Sequence, residues 1–155
     1  MFIKEETQAG ADPLENYIGK HYGDVKNWVT SYIYSSREQT VDLLQEGCHT
    51  YILDKVRPPL IISEWYAPRF DCGSEYDVEV KLFAENKKEL LDSFQFNCNL
   101  NAGRCWFQIK HVFDAYPPGV RYVHFRHGGK DRKFWAGHYG VKMALPTVQF
   151  NIEDM

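Results

Sequence analysis

The stretch YDVEVKL, Tyr76–Leu82, sets Tyr76, Val78, Val80 and Leu82 on one side of an extended chain and Asp77, Glu79 and Lys81 on the other. Such strict period-two alternation of apolar and charged residues marks a half-buried β-strand. The pattern returns in VRYVHFR, where Val120, Tyr122, His124 and Arg126 oppose Arg121, Val123 and Phe125. Working outward, further strands are predicted over Trp28–Tyr34, Leu60–Tyr66, Leu91–Phe96, Trp106–Phe113 and Val148–Ile152. Breakers punctuate them at Pro58-Pro59, Pro68, Gly73, Gly103, Pro117-Pro118-Gly119, Gly128-Gly129 and Pro146. Short strands with regular punctuation read as an all-β sandwich. One helical turn is predicted within Val41–Asp54. Residues 1–24 are polar and aperiodic and read as a peripheral segment, which leaves residues 25–155 as one β domain.

A second stretch, HGGKDRKFWAG (His127–Gly137), carries the functional signal. Lys130, Asp131, Arg132 and Lys133 read as a solvated loop, with Phe134 and Trp135 at its rim. Aromatic surface displayed on a loop usually meets a partner. The alternative is that both rings fold into the core and only the basic residues face water.

Composition narrows the function. Aromatic residues make up 15% of the chain, which favours strands and ring-lined sites. The net charge of −3 gives no nucleic-acid footprint, and the basic cluster Arg126–Lys133 is too short to supply one. No run reaches the roughly 18 apolar residues that cross a bilayer, so no membrane span is predicted. The N-terminus lacks a secretory core, and the scattered Cys48, Cys72, Cys98 and Cys105 read as reduced thiols of a cytoplasmic protein. Cys72, in the turn-like FDCGSE, is expected to be the most exposed of the four.

Catalytic and metal chemistry find little support. His124 and His127 fall on a strand and the turn after it, without the spacing of a metal site, and no cysteine pair accompanies them. His111 reads as a strand residue bonded to a neighbour. No G-x-S-x-G elbow, patterned carboxylate pair or P-loop occurs. The expectation is a binding module, not an enzyme, with no cofactor. A carbohydrate site needs a flat ring for the C–H face of a sugar and polar groups for its hydroxyls. Trp135, Phe134 and the flanking charged residues could supply both. Tyr32 and Tyr34 share a strand face, so one could join from across the sheet; the alternative for both is core packing with their hydroxyls bonded at the sheet edge.

These residues lead to a resemblance. WVTSY (28–32), VDLLQEG (41–47), the W-Y-x-x-R-x-D-x-G pattern at Trp65–Gly73, Tyr76 followed by VEVKL (78–82), YPPGVRYVHFRHGG-x-D (116–131) and FWAGHYG (134–140) resemble the F-box-associated domain. That domain is the substrate-recognition half of the sugar-recognising F-box proteins. The resemblance covers roughly residues 25–150 and implies a jelly-roll β-sandwich of the galactose-binding-like type. It also implies loops at one end that hold the chitobiose core of high-mannose N-glycans. Through such loops, glycoproteins exported from the endoplasmic reticulum reach a Skp1–cullin ubiquitin ligase. The family's sugar-contacting residues fall on Tyr32, for an early aromatic, and on Phe134, Trp135 and Ala136, for a consecutive Tyr-Trp-Lys.

The chain departs from that pattern. Phe134 lacks the hydroxyl and Ala136 the ammonium group, while Trp135 is kept. Residues 1–24 are too few and too polar for an F-box, so the sequence is expected to be either a fragment or a family member without one; WVTSY and W-x-G-H-Y-G resemble such a member. A Skp1–cullin ligase is then a partner only where a longer product carries the F-box. Two functions remain open: glycoprotein binding, or a protein-interaction domain that has kept the sandwich and lost the sugar.

Overall fold

The computed structural model describes residues 3–5, 11, 27–31, 33–133 and 140–152, with the backbone alone at 3–5 and 27. Its strands are β1 (Ile3–Glu5), β2 (Asn27–Val29), β3 (Ser35–Asp42), β4 (Leu60–Ala67), β5 (Ser74–Phe83), β6 (Leu90–Leu100), β7 (Phe107–Phe113), β8 (Tyr122–Asp131) and β9 (Lys142–Phe150). They form a five-stranded sheet, ordered β1-β2-β9-β4-β7, and a four-stranded sheet, ordered β3-β8-β5-β6. Every pairing is antiparallel. Apart from β1–β2 and β5–β6, each connection crosses between the sheets. This is the predicted all-β jelly-roll sandwich, whose inner faces make one core.

The alternation of β5 places Tyr76, Val78, Val80 and Leu82 in the core. Leu60, Ile62 and Tyr66 of β4 and Val123 and Phe125 of β8 meet them there. Inner and outer residues thus separate as the period-two pattern requires.

Several boundaries differ from the sequence reading. The first predicted strand stops at Val29, and Tyr34 lies just before β3 instead of beside Tyr32 on a strand. Strand β3 replaces part of the predicted helical turn, and the turn itself forms at Ile52–Val56. A three-residue strand at Ile3–Glu5, too short to show periodicity, pairs with β2. Pro146 lies inside β9 instead of ending it. It follows Leu145, whose φ is 51°, close to a register shift against β4 between Ser63 and Trp65, the kind of irregularity where proline is tolerated.

The largest correction concerns HGGKDR. Gly128, Gly129, Lys130 and Asp131 continue β8, and Asp131 is fully buried, so the solvated segment starts only at Arg132. The glycines are there for close approach, not for a turn. A Cβ on Gly128 would overlap the Ser35 carbonyl oxygen of β3, and one on Gly129 the Glu75 carbonyl oxygen of β5. Both obstacles are backbone atoms of paired strands and cannot swing aside. Gly129→Ala is therefore expected to cost about 2–3 kcal/mol. At about 2–4 °C per kcal/mol for a chain of this size, thermal unfolding should show the loss clearly. An unchanged melting temperature would mean the sheet can spread at no cost.

Candidate functional site

Four connections gather at one end of the sandwich, knitted by backbone hydrogen bonds. The Asp131 N–H donates to Ser31 O at 2.9 Å, Gly140 N–H to Thr30 O at 3.0 Å and Thr30 N–H to Val141 O at 3.2 Å. These bonds tie the β2–β3 connection to both ends of the β8–β9 connection. The Arg132 N–H donates to Gly73 O at 2.9 Å and Gly103 N–H to Arg69 O at 3.1 Å, which adds the β4–β5 and β6–β7 connections. Buried Ala67, Trp106 and Ala144 form an apolar plug near these loops. Such an arrangement holds loop residues on a rigid frame, the usual way a sandwich presents a binding surface.

Tyr32, Phe134, Trp135 and Ala136, the sugar-contacting residues expected from the sequence, lie outside the described residues. What the structure does describe is their flanks: Ser31 and Ile33 on one side, Lys133 and Gly140 on the other. Tyr34 turns to the outer face of the four-stranded sheet. Its hydroxyl donates to Asp77 Oδ1 at 2.9 Å and accepts from Arg126 Nη1 at 2.8 Å. Partial burial, followed by the hydrogen bond to Asp77, raises its pKa. Both bonds hold its hydroxyl at the sheet face.

Two other expectations change. Cys72 is buried, not exposed, and its thiol donates to Gly73 O at 3.4 Å; burial raises its pKa, so it is no reactive thiol. Cys105 is the exposed cysteine among the four. The histidines go to separate partners. His124 shares a 2.9 Å hydrogen bond with Thr40 Oγ1, and His111 stacks on Phe94 with ring centres 4.1 Å apart. His127 sits on β8 instead of in a turn, where its Nδ1 shares a hydrogen bond with Glu64 Oε2.

That last contact belongs to a buried polar cluster the sequence reading missed. Glu64 of β4 is 0% exposed, Tyr76 of β5 1% and His127 of β8 3%. The Tyr76 hydroxyl donates to Glu64 Oε1 at 2.6 Å. Burial first, and the neighbouring Glu64 second, raise the Tyr76 pKa well above its ordinary value. The cluster bolts one sheet to the other through both carboxylate oxygens. Alternation with Ile62 and Tyr66 already pointed Glu64 inward; nothing local in the sequence named its partners.

Comparison with known proteins supplies the family. The family model described as the F-box associated region matches residues 4–149. The chain is 40% identical to bovine F-box only protein 6 over 126 residues, covering 79% of the chain and 47% of that protein. It is 39% identical to human F-box only protein 44, with 79% and 49% covered, and 32% identical to mouse F-box only protein 27, with 90% and 56% covered. The chain thus spans about half the length of these curated relatives. Among solved structures, it resembles the carbohydrate-binding module TmCBM61, solved with β-1,4-galactotriose, at a TM-score of 0.50 and 10% identity, over 97% of the chain and 88% of the module. A bacteriophage CBA120 tailspike protein 4 domain aligns at a TM-score of 0.52 and 9% identity, over 97% of the chain and 19% of that structure. At such identities these two similarities speak for the jelly-roll sandwich alone. The match along nearly the whole sequence decides the rest: the chain belongs to the F-box associated region family.

Proposed function

We propose that this chain is a substrate-recognition module that binds glycoproteins through the chitobiose core of N-glycans. Within a longer F-box protein it would deliver glycoproteins exported from the endoplasmic reticulum to a Skp1–cullin ligase, in the cytoplasm. The module binds and does not catalyse, and it takes no cofactor. The observation that supports this reading most is the bond from the Asp131 N–H to Ser31 O. It joins the neighbour of Tyr32 to the strand end that leads into Phe134–Ala136, so the segments carrying both halves of the family's sugar contacts start from one place. In this reading Trp135 offers the flat ring for the sugar's C–H face and Tyr32 a second aromatic wall.

One feature favours a different reading. Phe134 and Ala136 lack the hydroxyl and the ammonium group found at the matching family positions, which suits a domain that binds protein without sugar. Titration calorimetry with chitobiose separates the two. Weak, saturable binding by the parent chain and none by Trp135→Ala are expected. Binding of a glycoprotein that survives enzymatic removal of its N-glycans would favour the protein-interaction reading instead.

A further inference from the structure

A cleft of about 400 Å³ opens between the two sheets, walled by β3 and β8 on one side and by β9 on the other. It runs along the flank of the sandwich, away from the loop end and towards the connection that leaves β3 for β4. A concave space of this size, largely apolar with a few placed polar groups, is the usual form of a small-molecule site.

The cleft is polarised along its length. Val41, Leu43, Leu60, Phe125, Val148 and Phe150 line it, and all six belong to the hydrophobic core or pack against it. Register sets most of them towards one end: Leu60 lies opposite Phe150, and Val41 opposite Val123. Arg37, opposite His127, marks the other end. The strand between Arg37 and Val41 spans about 13 Å, the reach of a medium-length chain. The Arg37 guanidinium carbon lies 3.5 Å from the centre of the Trp28 ring. A guanidinium stacked on a ring is held in place while its N–H edge stays open to an anion. The neighbouring carboxylates are engaged elsewhere. Glu64 is held by Tyr76 and His127, and Glu38 reaches His124 at 3.3 Å on the outer face. Among the described residues Arg37 has no carboxylate partner. Exposed Glu46 stands at the apolar end, so a negative head group is repelled there and drawn to Arg37.

We propose that this cleft binds a medium-chain amphipathic carboxylate, its alkyl chain along Leu43, Leu60 and Phe150 and its head on the Arg37 guanidinium. The site is separate from the proposed glycan contacts, and the two readings stand or fall independently. Titration calorimetry of the full chain with decanoate, decylammonium and acetate tests it. Decanoate should bind saturably and at least about tenfold more tightly than either of the others, because acetate lacks the chain and decylammonium carries the wrong charge. Arg37→Gln should bring decanoate and decylammonium to within about twofold, and Arg37→Glu should reverse the preference. The location is read without any variant, by alkylating the thiols and mapping the peptides by mass. Cys48 lines the cleft, and Cys105 is exposed on the β6–β7 connection. Saturating decanoate should slow alkylation of Cys48 by covering it and leave Cys105 unchanged. Failure of decanoate to saturate, equal binding of decylammonium, or a preference that survives Arg37→Gln overturns the proposal. So does decanoate binding that leaves Cys48 as reactive as before, which would place the ligand elsewhere.

Discussion

Glu64→Ala is expected to lower folding stability by about 3–5 kcal/mol, the cost of breaking a buried polar pair from one side. The carboxylate engages Tyr76 of one sheet strand and His127 of the next, and all three groups are buried. Removing it orphans a hydroxyl and an imidazole together and leaves a cavity on the inner face of β4. At about 2–4 °C per kcal/mol, the melting temperature should fall by roughly 10 °C. His127 also reaches a cleft of about 400 Å³ lined by residues of β3 and β9, so water can compensate part of its loss there. Tyr76→Phe is the milder companion. It keeps the ring stacked on Tyr66, with centres 4.2 Å apart, and forfeits one hydrogen bond, at about 1–2 kcal/mol. Urea unfolding of both variants decides the matter. A loss for Glu64→Ala no greater than for Tyr76→Phe would show that the carboxylate does not tie the sheets together.

On the proposed glycan-binding reading, restoring the polar groups expected at positions 134 and 136 should tighten chitobiose binding at least about tenfold, which takes only ~1.4 kcal/mol. Phe134→Tyr returns a hydroxyl and Ala136→Lys an ammonium group on either side of Trp135. A charge-assisted hydrogen bond counts for about twice a neutral one, so the lysine should contribute more of the gain. Trp135→Ala should abolish binding in both backgrounds, because the polar groups cannot replace the ring proposed to face the sugar. Calorimetric titration of the parent, the double variant and each tryptophan variant gives the answer. Equal affinities for the parent and the double variant would mean that this triplet does not limit binding, and the site carried over from the family would have to be given up.

The parts of the fold legible in the sequence are those where burial is one-sided. β5 showed itself because its inner residues reach the core while its outer ones are charged, and β8 did so through Val123 and Phe125. β3 was invisible because Ser35–Asp42 is an edge strand with polar residues at nearly every position, so no period emerges. Gly128 and Gly129 read as breakers because local sequence cannot report how closely two neighbouring strands approach. The same limit hid the Glu64 cluster: Tyr76 stands 12 residues away and His127 63, and only sheet stacking joins them. The residues by themselves pointed to Trp135 and Phe134 and left Tyr32 and Tyr34 as alternatives; Ala136 and the choice of Tyr32 came from resemblance.

The position of β9 has a consequence for how the chain is made. It is the last of the strands in sequence, yet it lies between β2 and β4 in the middle of the five-stranded sheet. During synthesis β4 can find β7, but β1 and β2 have no sheet to join until residues 142–150 have left the ribosome. Leu60 and Ile62 therefore wait with one flank unpaired until β9 emerges. Only long-range closure completes this half of the sandwich, and long-range closure is slow. A nascent chain stalled before residue 142 should thus present apolar strand edges to chaperones, and a release of a few residues more should hide them in one step.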